Sequence, residues 1–296
     1  MVNLAIVIPY YKLTFFEETL QSLANQTDKR FKVYVGDDAS PEVPSELLEK
    51  YKGTFDFVYH RFENNLGGLS LSQQWERCVA LSGDEEWIMI LGDDDYLGDS
   101  VVEQFYAHLP DFKLNANVVR FALQLLYEKD QSKSLVFTNL IRELATDSFY
   151  RKFKRMAVST LSEYVFSKKV FQKHGFYDYP LAWFSDDRAW LDFSEDKPIY
   201  SINESIVYAR MSHLNISGRQ DNVAIKNQSS VAFYQYLIQD KLTEFNKYQR
   251  IKIIRKYYFD LKKVKSLEGQ DWLFLFKHYM INLNFLAIKD FIKKYI

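Results

Sequence analysis

The first third of the chain alternates short apolar runs with helical patterns, and this alternation leaves few folds open. Residues 4–9 are a β-branched apolar run, as a strand buried on both faces should be. Thr14 and Glu17 have the spacing of a capping box. Phe16, Leu20 and Leu23 fall on one face of the helix it would open. Residues 31–37 and 55–62 read as second and third strands, with a short helix at 45–51. Gly67-Gly68 opens a helix running to about residue 81, and residues 86–91 read as a fourth strand. Strands and helices joined by short connections imply an α/β fold, a mostly parallel sheet flanked by helices. In such sheets ligands sit beyond the carboxyl ends of the strands. Tyr10-Tyr11-Lys12, Asp37-Asp38, Asn64-Asn65 and Asp93-Asp94-Asp95 all follow strands. They are therefore expected to converge on one crevice.

The pattern changes after residue 99. Residues 100–109 read as a helix, 118–127 as a strand, and 128–150 are polar and carry no clear period. Residues 199–211 read as a hairpin or a pair of short strands, and the chain is helical and aromatic from about residue 222. No repeat or low-complexity tract interrupts it. With 47% apolar residues the chain can bury a real core, which excludes disorder. The lone Cys78 rules out a disulfide framework and is compatible with a reducing compartment. The N-terminal run lacks a basic segment before it and reads as a strand rather than a signal peptide. No apolar run is long enough for a membrane-spanning helix.

Three adjacent carboxylates at a strand end repel one another, and a cation relieves the repulsion. Oxygen ligands suit Mg²⁺ or Mn²⁺, with a substrate phosphate completing the shell. A solvated turn or a helix cap would also use aspartates. The buried run Ile88-Met89-Ile90-Leu91 immediately before them favours the cation.

At this point the sequence resembles the family 2 glycosyltransferases of GT-A fold. Ile6-Val7-Ile8-Pro9-Tyr10-Tyr11-Lys12 looks like that family's first strand and loop, and Gly36-Asp37-Asp38-Ala39-Ser40 like its Val-Asp-Asp-Gly-Ser motif. Asn65-Leu66-Gly67 looks like its Asn-x-Gly. Leu91-Gly92-Asp93-Asp94-Asp95-Tyr96-Leu97 looks like its Leu-Asp-x-Asp-Asp-x-Leu. Trp183-Phe184-Ser185-Asp186-Asp187-Arg188 looks like its late Glu-Asp motif. Each is weak alone; five in order, over roughly residues 1–220, are strong. The resemblance implies a GT-A catalytic domain at 1–220, with 1–98 binding the nucleotide-sugar and 99–220 the acceptor. Residues 221–296 would form a helical extension.

The resemblance also implies roles. Pro9 and Tyr10 would line the nucleobase pocket, with Tyr10 stacking on the base or edging it. Asp38 would hydrogen-bond the base or ribose, and Asp37 would support its loop. Asn65 and Gly67 would shape a loop near the ribose. The family's first aspartate falls on Gly92, a departure, so Asp93 could substitute for it only in part. Asp94 or Asp95 would be the direct ligand of a divalent cation, Mn²⁺ or Mg²⁺, and the other would order the loop or contact ribose. Asp187, next to Asp186 where the family often has Glu, would be the general base of a single inverting displacement. One catalytic carboxylate then suffices, whereas a glycosidase needs two. Asp186-Asp187 could also cap the helix that follows, and the two roles can coexist. His213 could be a third metal ligand or a phosphate donor, and Arg210 a clamp on the diphosphate. Phe176-Tyr177, Tyr179 and Trp183-Phe184 could form an acceptor wall, or simply core.

Residues 241–296 hold 13 Lys+Arg against 5 Asp+Glu, while the chain as a whole has a formal net charge of −1. Trp272, Phe276, Tyr279 and Leu283 recur at helical spacing, as do Phe285, Ile288 and Ile292. A basic amphipathic tail can lie on an anionic membrane. Helices packed on the catalytic domain, with lysines snorkelling outward, are the plainer reading. Nucleic acid is an unsuitable partner, because no base-stacking or groove-reading motif accompanies the charge.

These features together imply a cytoplasmic polysaccharide-biosynthesis enzyme, with the tail available to the inner face of the cell membrane. Its donor would be a nucleotide-sugar, most commonly UDP-linked in this family, and its acceptor a glycan or lipid-linked glycan. A nucleotidyltransferase would want a glycine- and lysine-rich loop after the first strand, where only Lys12 is basic. A dehydrogenase would want G-x-G-x-x-G there. A catalytically silent nucleotide-sugar-binding or scaffold protein is the alternative that Gly92 keeps open.

Overall fold

The structure is a computed structural model that describes residues 3–212 and 221–282. The elements run β1 (Leu4–Tyr10), α1 (Phe16–Ala24), β2 (Phe31–Asp37), α2 (Ser45–Lys50), β3 (Asp56–Arg61), α3 (Leu71–Val79), β4 (Trp87–Ile90), β5 (Tyr96–Leu97) and α4 (Val101–Phe112). There follow β6 (Val118–Tyr127), β7 (Ser132–Lys133), β8 (Arg142–Glu143), α5 (Ala145–Phe153), β9 (Tyr164–Ser167), α6 (Lys168–His174), α7 (Ser185–Ser194) and β10 (Ile199–Met211). Three longer helices come last: α8 (Val223–Tyr236), α9 (Lys247–Val264) and α10 (Gly269–Ile281).

Contacts divide the chain into two compact units. One comprises 1–178 and 185–219, the other 179–184 and 220–296. The first is built on a sheet ordered β3-β2-β1-β4-β9-β6-β10-β5, with β7 beside β6 and β8 beside β10. β1, β2, β3 and β4 are mutually parallel, as are β6 and β10; β9 runs antiparallel between β4 and β6. β1 lies at the centre of the parallel half and is almost wholly buried, which is why its sequence is apolar without alternation. Phe16, Leu20 and Leu23 of α1 pack into the same core as Leu4, Ile6 and Ile8. The expected α/β architecture is present.

Several local expectations are corrected. Phe15, not Thr14, stands at the start of α1, without a side-chain cap; the first turn closes by Phe16 N–H to the Leu13 carbonyl at 3.0 Å. Residues 199–211 form one long strand rather than a hairpin, with a register shift between Ile202 and Ile206 against β6. The polar stretch 128–150 contains β7, β8 and the start of α5. Gly36 is required by a close approach: a Cβ there would sit 2.3 Å from the Cys78 sulfur of α3.

In the second unit α8 and α9 pack together, and Phe233, Ile253, Ile254 and Tyr257 are buried. Phe184 stacks on Phe233 at 4.6 Å, and Asp260 is buried while accepting from Ser230 Oγ. The buried face of α10 is Leu275 and Tyr279, one turn apart; Phe276 is exposed. Among the described residues no helix is long and apolar enough to cross a membrane.

Candidate functional site

Strand order reverses around β1: β2 lies on one side and β4 on the other. The loops after β1 and β4 therefore flank the crevice where α/β sheets bind ligands. Asp93 joins them, its Oδ2 accepting from the backbone N–H groups of Tyr11 at 2.7 Å and Lys12 at 2.8 Å. Thr19 of α1 donates to the Asp95 carbonyl at 2.7 Å. Asp95 is buried, with Oδ2 accepting from Ser162 Oγ at 2.5 Å and Oδ1 from the Arg210 N–H at 2.8 Å. Ser162 Oγ in turn accepts from Gly92 N–H at 3.1 Å. The Arg210 guanidinium closes the loop from β10: Nε donates to the Asp94 carbonyl at 3.1 Å and Nη2 to Glu18 at 2.6 Å, over the face of Phe15.

This loop holds like charges close together. Burial, and then the charge of Asp94, push Asp95 up to about 8 and Asp93 up to about 6, against the hydrogen bonds each accepts. A Cβ at Gly92 would meet Asp95 Oδ2 at 3.0 Å and Asp94 Oδ1 at 3.1 Å. The two carboxylates thus fold back over the space that the family's first aspartate would take. Asp94 itself is half-exposed. Among the described residues no three His, Cys, Asp or Glu side chains gather as a closed metal cage. Mg²⁺ and Mn²⁺ bound with a substrate diphosphate need only one or two carboxylates. The carboxylates that converge at the β4 end fit that kind of donor set.

Asp37 and Asp38 are bound differently. Asp37 is fully buried, accepting from Ser40 N–H at 2.8 Å, Tyr59 OH at 2.6 Å and Arg61 Nη1 at 2.7 Å. Asp38 accepts from Leu66 N–H at 2.7 Å, Gly67 N–H at 2.9 Å and the guanidinium of Arg77. Arg77 also reaches Asn64 Oδ1 at 3.0 Å and lies over Phe62. Asn65 Oδ1 accepts from Gly68 N–H at 2.6 Å, and a Cβ on Gly67 would come within 2.6 Å of Asp38.

Asp186 and Asp187 lie in the first turn of α7, inside the helix, where its dipole favours anions. Asp187 is buried; Oδ1 accepts from Lys152 Nζ of α5 at 2.8 Å, and Asp186 stands 3.9 Å from the same ammonium. Burial raises Asp187 to about 6, with Lys152 opposing and Asp186 adding to the rise. The 159–164 segment links this helix to the acidic loop. Ser162 holds Asp95, and the Tyr164 ring stacks on Trp190 of α7 at 4.1 Å.

Some residues expected at the site are placed elsewhere. Tyr10 is wholly buried, packed on Phe16 with its OH donating to the Glu42 carbonyl, so its ring has no exposed face for a base; the exposed ring is Tyr11. Pro9 is half-buried and pairs with Gly36. Asp38 is engaged by its own loop and Arg77, and Arg210 braces the acidic loop through Asp95 and the Asp94 carbonyl. Phe176, Tyr179 and Phe184 are packed side chains, leaving Tyr177 exposed with Arg188 over it. His213 lies outside the described residues. Sequence reasoning missed Arg77, Lys152 and Ser162. Gln74, Arg77 and Cys78 lie on one face of α3, toward Gly36 and Asp38, and that spacing was the available signal for Arg77.

Residues 5–173 match the sequence profile of Glycosyl transferase family 2. The match covers more than half the chain, and the chain belongs to that family. Over 115 residues it is 28% identical to the poly(ribitol-phosphate) beta-N-acetylglucosaminyltransferase TarS of Staphylococcus aureus strains Mu50 and MW2. That stretch is 38% of this chain but only 19% of the relative. The fold is similar to crystal structures of S. aureus TarS 1–349. The complex with UDP-GlcNAc has a TM-score of 0.66 at 12% identity, covering 95% of this chain and 80% of that one. The complex with UDP has a TM-score of 0.64 at 14% identity, covering 95% and 81%. The protein is thus a GT-A-fold glycosyltransferase.

Proposed function

We propose that this chain is an inverting transferase that moves a sugar from a UDP-sugar to a hydroxyl of a glycan or lipid-linked acceptor. Residues 1–98 would bind the donor and 99–220 the acceptor, with 221–296 as a helical extension. The carrying observation is the loop after β4, which gathers three aspartates at the end of a buried strand, with Asp93 and Asp95 oriented by backbone N–H groups and Asp94 half-exposed. Asp94 would hold Mn²⁺ or Mg²⁺, with Asp95 ordering the loop and Asp93 fixing it to the β1 loop. When bound, the cation supplies electrostatic stabilisation of the departing diphosphate. Asp187 would accept the proton of the attacking hydroxyl. Tyr11, Asn65 and the strap held by Asp38 would border the nucleotide.

Two measurements test this. UDP-GlcNAc, the ligand in one S. aureus TarS crystal, and UDP should each raise the melting temperature only when Mn²⁺ or Mg²⁺ is present. No shift with any nucleotide would end the donor reading. Asp187→Asn should keep that shift while UDP release from UDP-GlcNAc falls about 10²–10⁴-fold; normal turnover would remove Asp187 as base.

A peripheral membrane contact is the natural role for the exposed Leu273, Phe276 and Ile281 of α10 beside Lys277. Anionic vesicles should retain the protein and release the Leu273→Glu/Phe276→Glu variant. Equal retention of both would refute it.

A further inference from the structure

We propose that Lys152 is a positioning residue for transfer: its ammonium fixes one oxygen of Asp187 and keeps the carboxylate ionised, leaving the other oxygen to take the acceptor's proton. This rests on Asp187 being the base. Lys152 Nζ lies 2.8 Å from Asp187 Oδ1, and among the described residues no donor reaches Oδ2. The pair lines a small cavity with Arg120, Ser148, Tyr164 and Trp190. Asp187 is buried while the Lys152 side chain is partly exposed, and an ion pair of this kind seldom adds much net stability. Its presence between α5 and α7 is consistent with a role beyond holding the helices together.

The charged groups around it are accounted for. Asp186 is 3.9 Å from Lys152. Arg120 of β6 is held by Glu143, Ser148 and Ser201 Oγ, the last at 2.9 Å. Arg151 pairs with Glu143 at 2.6 Å, and Arg188 with Asp192 at 3.2 Å. Buried Glu163 accepts from Thr160 N–H at 2.8 Å. Tyr164 OH accepts from Ser159 Oγ at 3.1 Å. Among the described residues Lys152 is the cation seen in contact with Asp187. Burial alone drives the carboxyl toward its protonated form, in which it cannot accept a proton; the ammonium opposes this.

The experiment follows UDP release from UDP-GlcNAc with Mn²⁺ across pH for wild type, Lys152→Met, Lys152→Arg and Asp187→Asn. In Lys152→Met the acid limb should move up by about one pH unit or more. Its kcat deficit should be about tenfold or greater near neutrality, shrink at alkaline pH, and leave the donor KM unchanged. Lys152→Arg should restore the wild-type limb. A pH-independent deficit, or a limb that stays in place, overturns the proposal.

A second readout needs no turnover and covers poor folding of one variant. In a double-mutant cycle of melting stability over Lys152→Gln and Asp187→Asn, coupling should be present above about pH 6 and vanish below it as Asp187 protonates. Coupling that is absent throughout, or flat with pH, also overturns it. If Asp187→Asn turns over normally, the base reading fails and takes Lys152 with it. If only Lys152→Met behaves as wild type, Lys152 alone fails.

Discussion

Two groups of aspartates lie at the ends of the two strands that flank β1, and they are bound in opposite ways. Asp37 and Asp38, at the end of β2, meet the guanidinium groups of Arg61 and Arg77, a tyrosine hydroxyl and three backbone N–H groups. Asp93 and Asp95, after β4, are held by backbone N–H groups and one serine hydroxyl, with Asp94 between them. The first pair is neutralised by the protein itself and fixes a loop. Among the described residues the Asp93 and Asp95 carboxylates of the second are oriented by N–H and hydroxyl donors, and burial raises them to about 6 and about 8. Under the proposed function the second group would serve a cation-binding loop and the first a structural strap, with the partners of each Asp-Asp step deciding which.

Matched substitutions should separate the two. The largest effect is expected from Asp94→Ala. UDP release should fall by about 10²-fold or more, and the Mn²⁺-dependent melting shift with UDP should disappear, while stability without ligand stays near wild type. A normal Mn²⁺ shift would break the distinction. Arg77→Met strands the buried Asp38 and should cost about 3 kcal/mol in urea denaturation, with Mn²⁺ still required for UDP binding. A loss below about 0.5 kcal/mol would mean the strap is already solvated.

Third is a pH effect. Asp93, Asp95 and Asp187 have folded pKa values above their unfolded ones, so their contribution to stability is present at acid pH. It is lost as pH rises through about 6 and then about 8. Metal-free protein should therefore lose about 1–3 kcal/mol across that window, and Mn²⁺ with UDP should restore it; a flat melting profile would contradict this. The smallest effect is expected from Gly67→Ala, about 1–2 kcal/mol, since its methyl must displace the Asp38 carboxylate. Unchanged stability would show that the loop yields.

Much of the fold was legible because residues 4–91 obey one rule, buried strand then polar turn then amphipathic helix. The acidic loop was legible for the same reason. The rest depends on pairings that local patterns do not carry. β9 has four residues and β8 two, too short for a period. β10 stays one strand because β6 pairs with it on both sides of residues 203–205, which lie outside the β6 register. Tyr10 looked available because tyrosine tolerates either environment, and only α1 packing over β1 buries it. Asp38 looked like a donor contact because Arg77, its partner, is 39 residues away on another element.

The contacts of the acidic loop also have a consequence for the order in which the protein assembles. Asp93 is bound to Tyr11 across 82 residues, Asp95 to Ser162 across 67 and to Arg210 across 115, and Arg210 to Glu18 across 192. The Asp37 and Asp38 strap closes across 39 residues or fewer. Contacts that distant are slow to form, because loop closure must be completed before they stabilise anything. The strap is expected to form early on folding and the loop late. On refolding from urea, binding competence for UDP with Mn²⁺ is expected to return only in the slowest phase, after most of the secondary structure. A growing chain on the ribosome acquires the loop's last restraint only once residue 210 has been made.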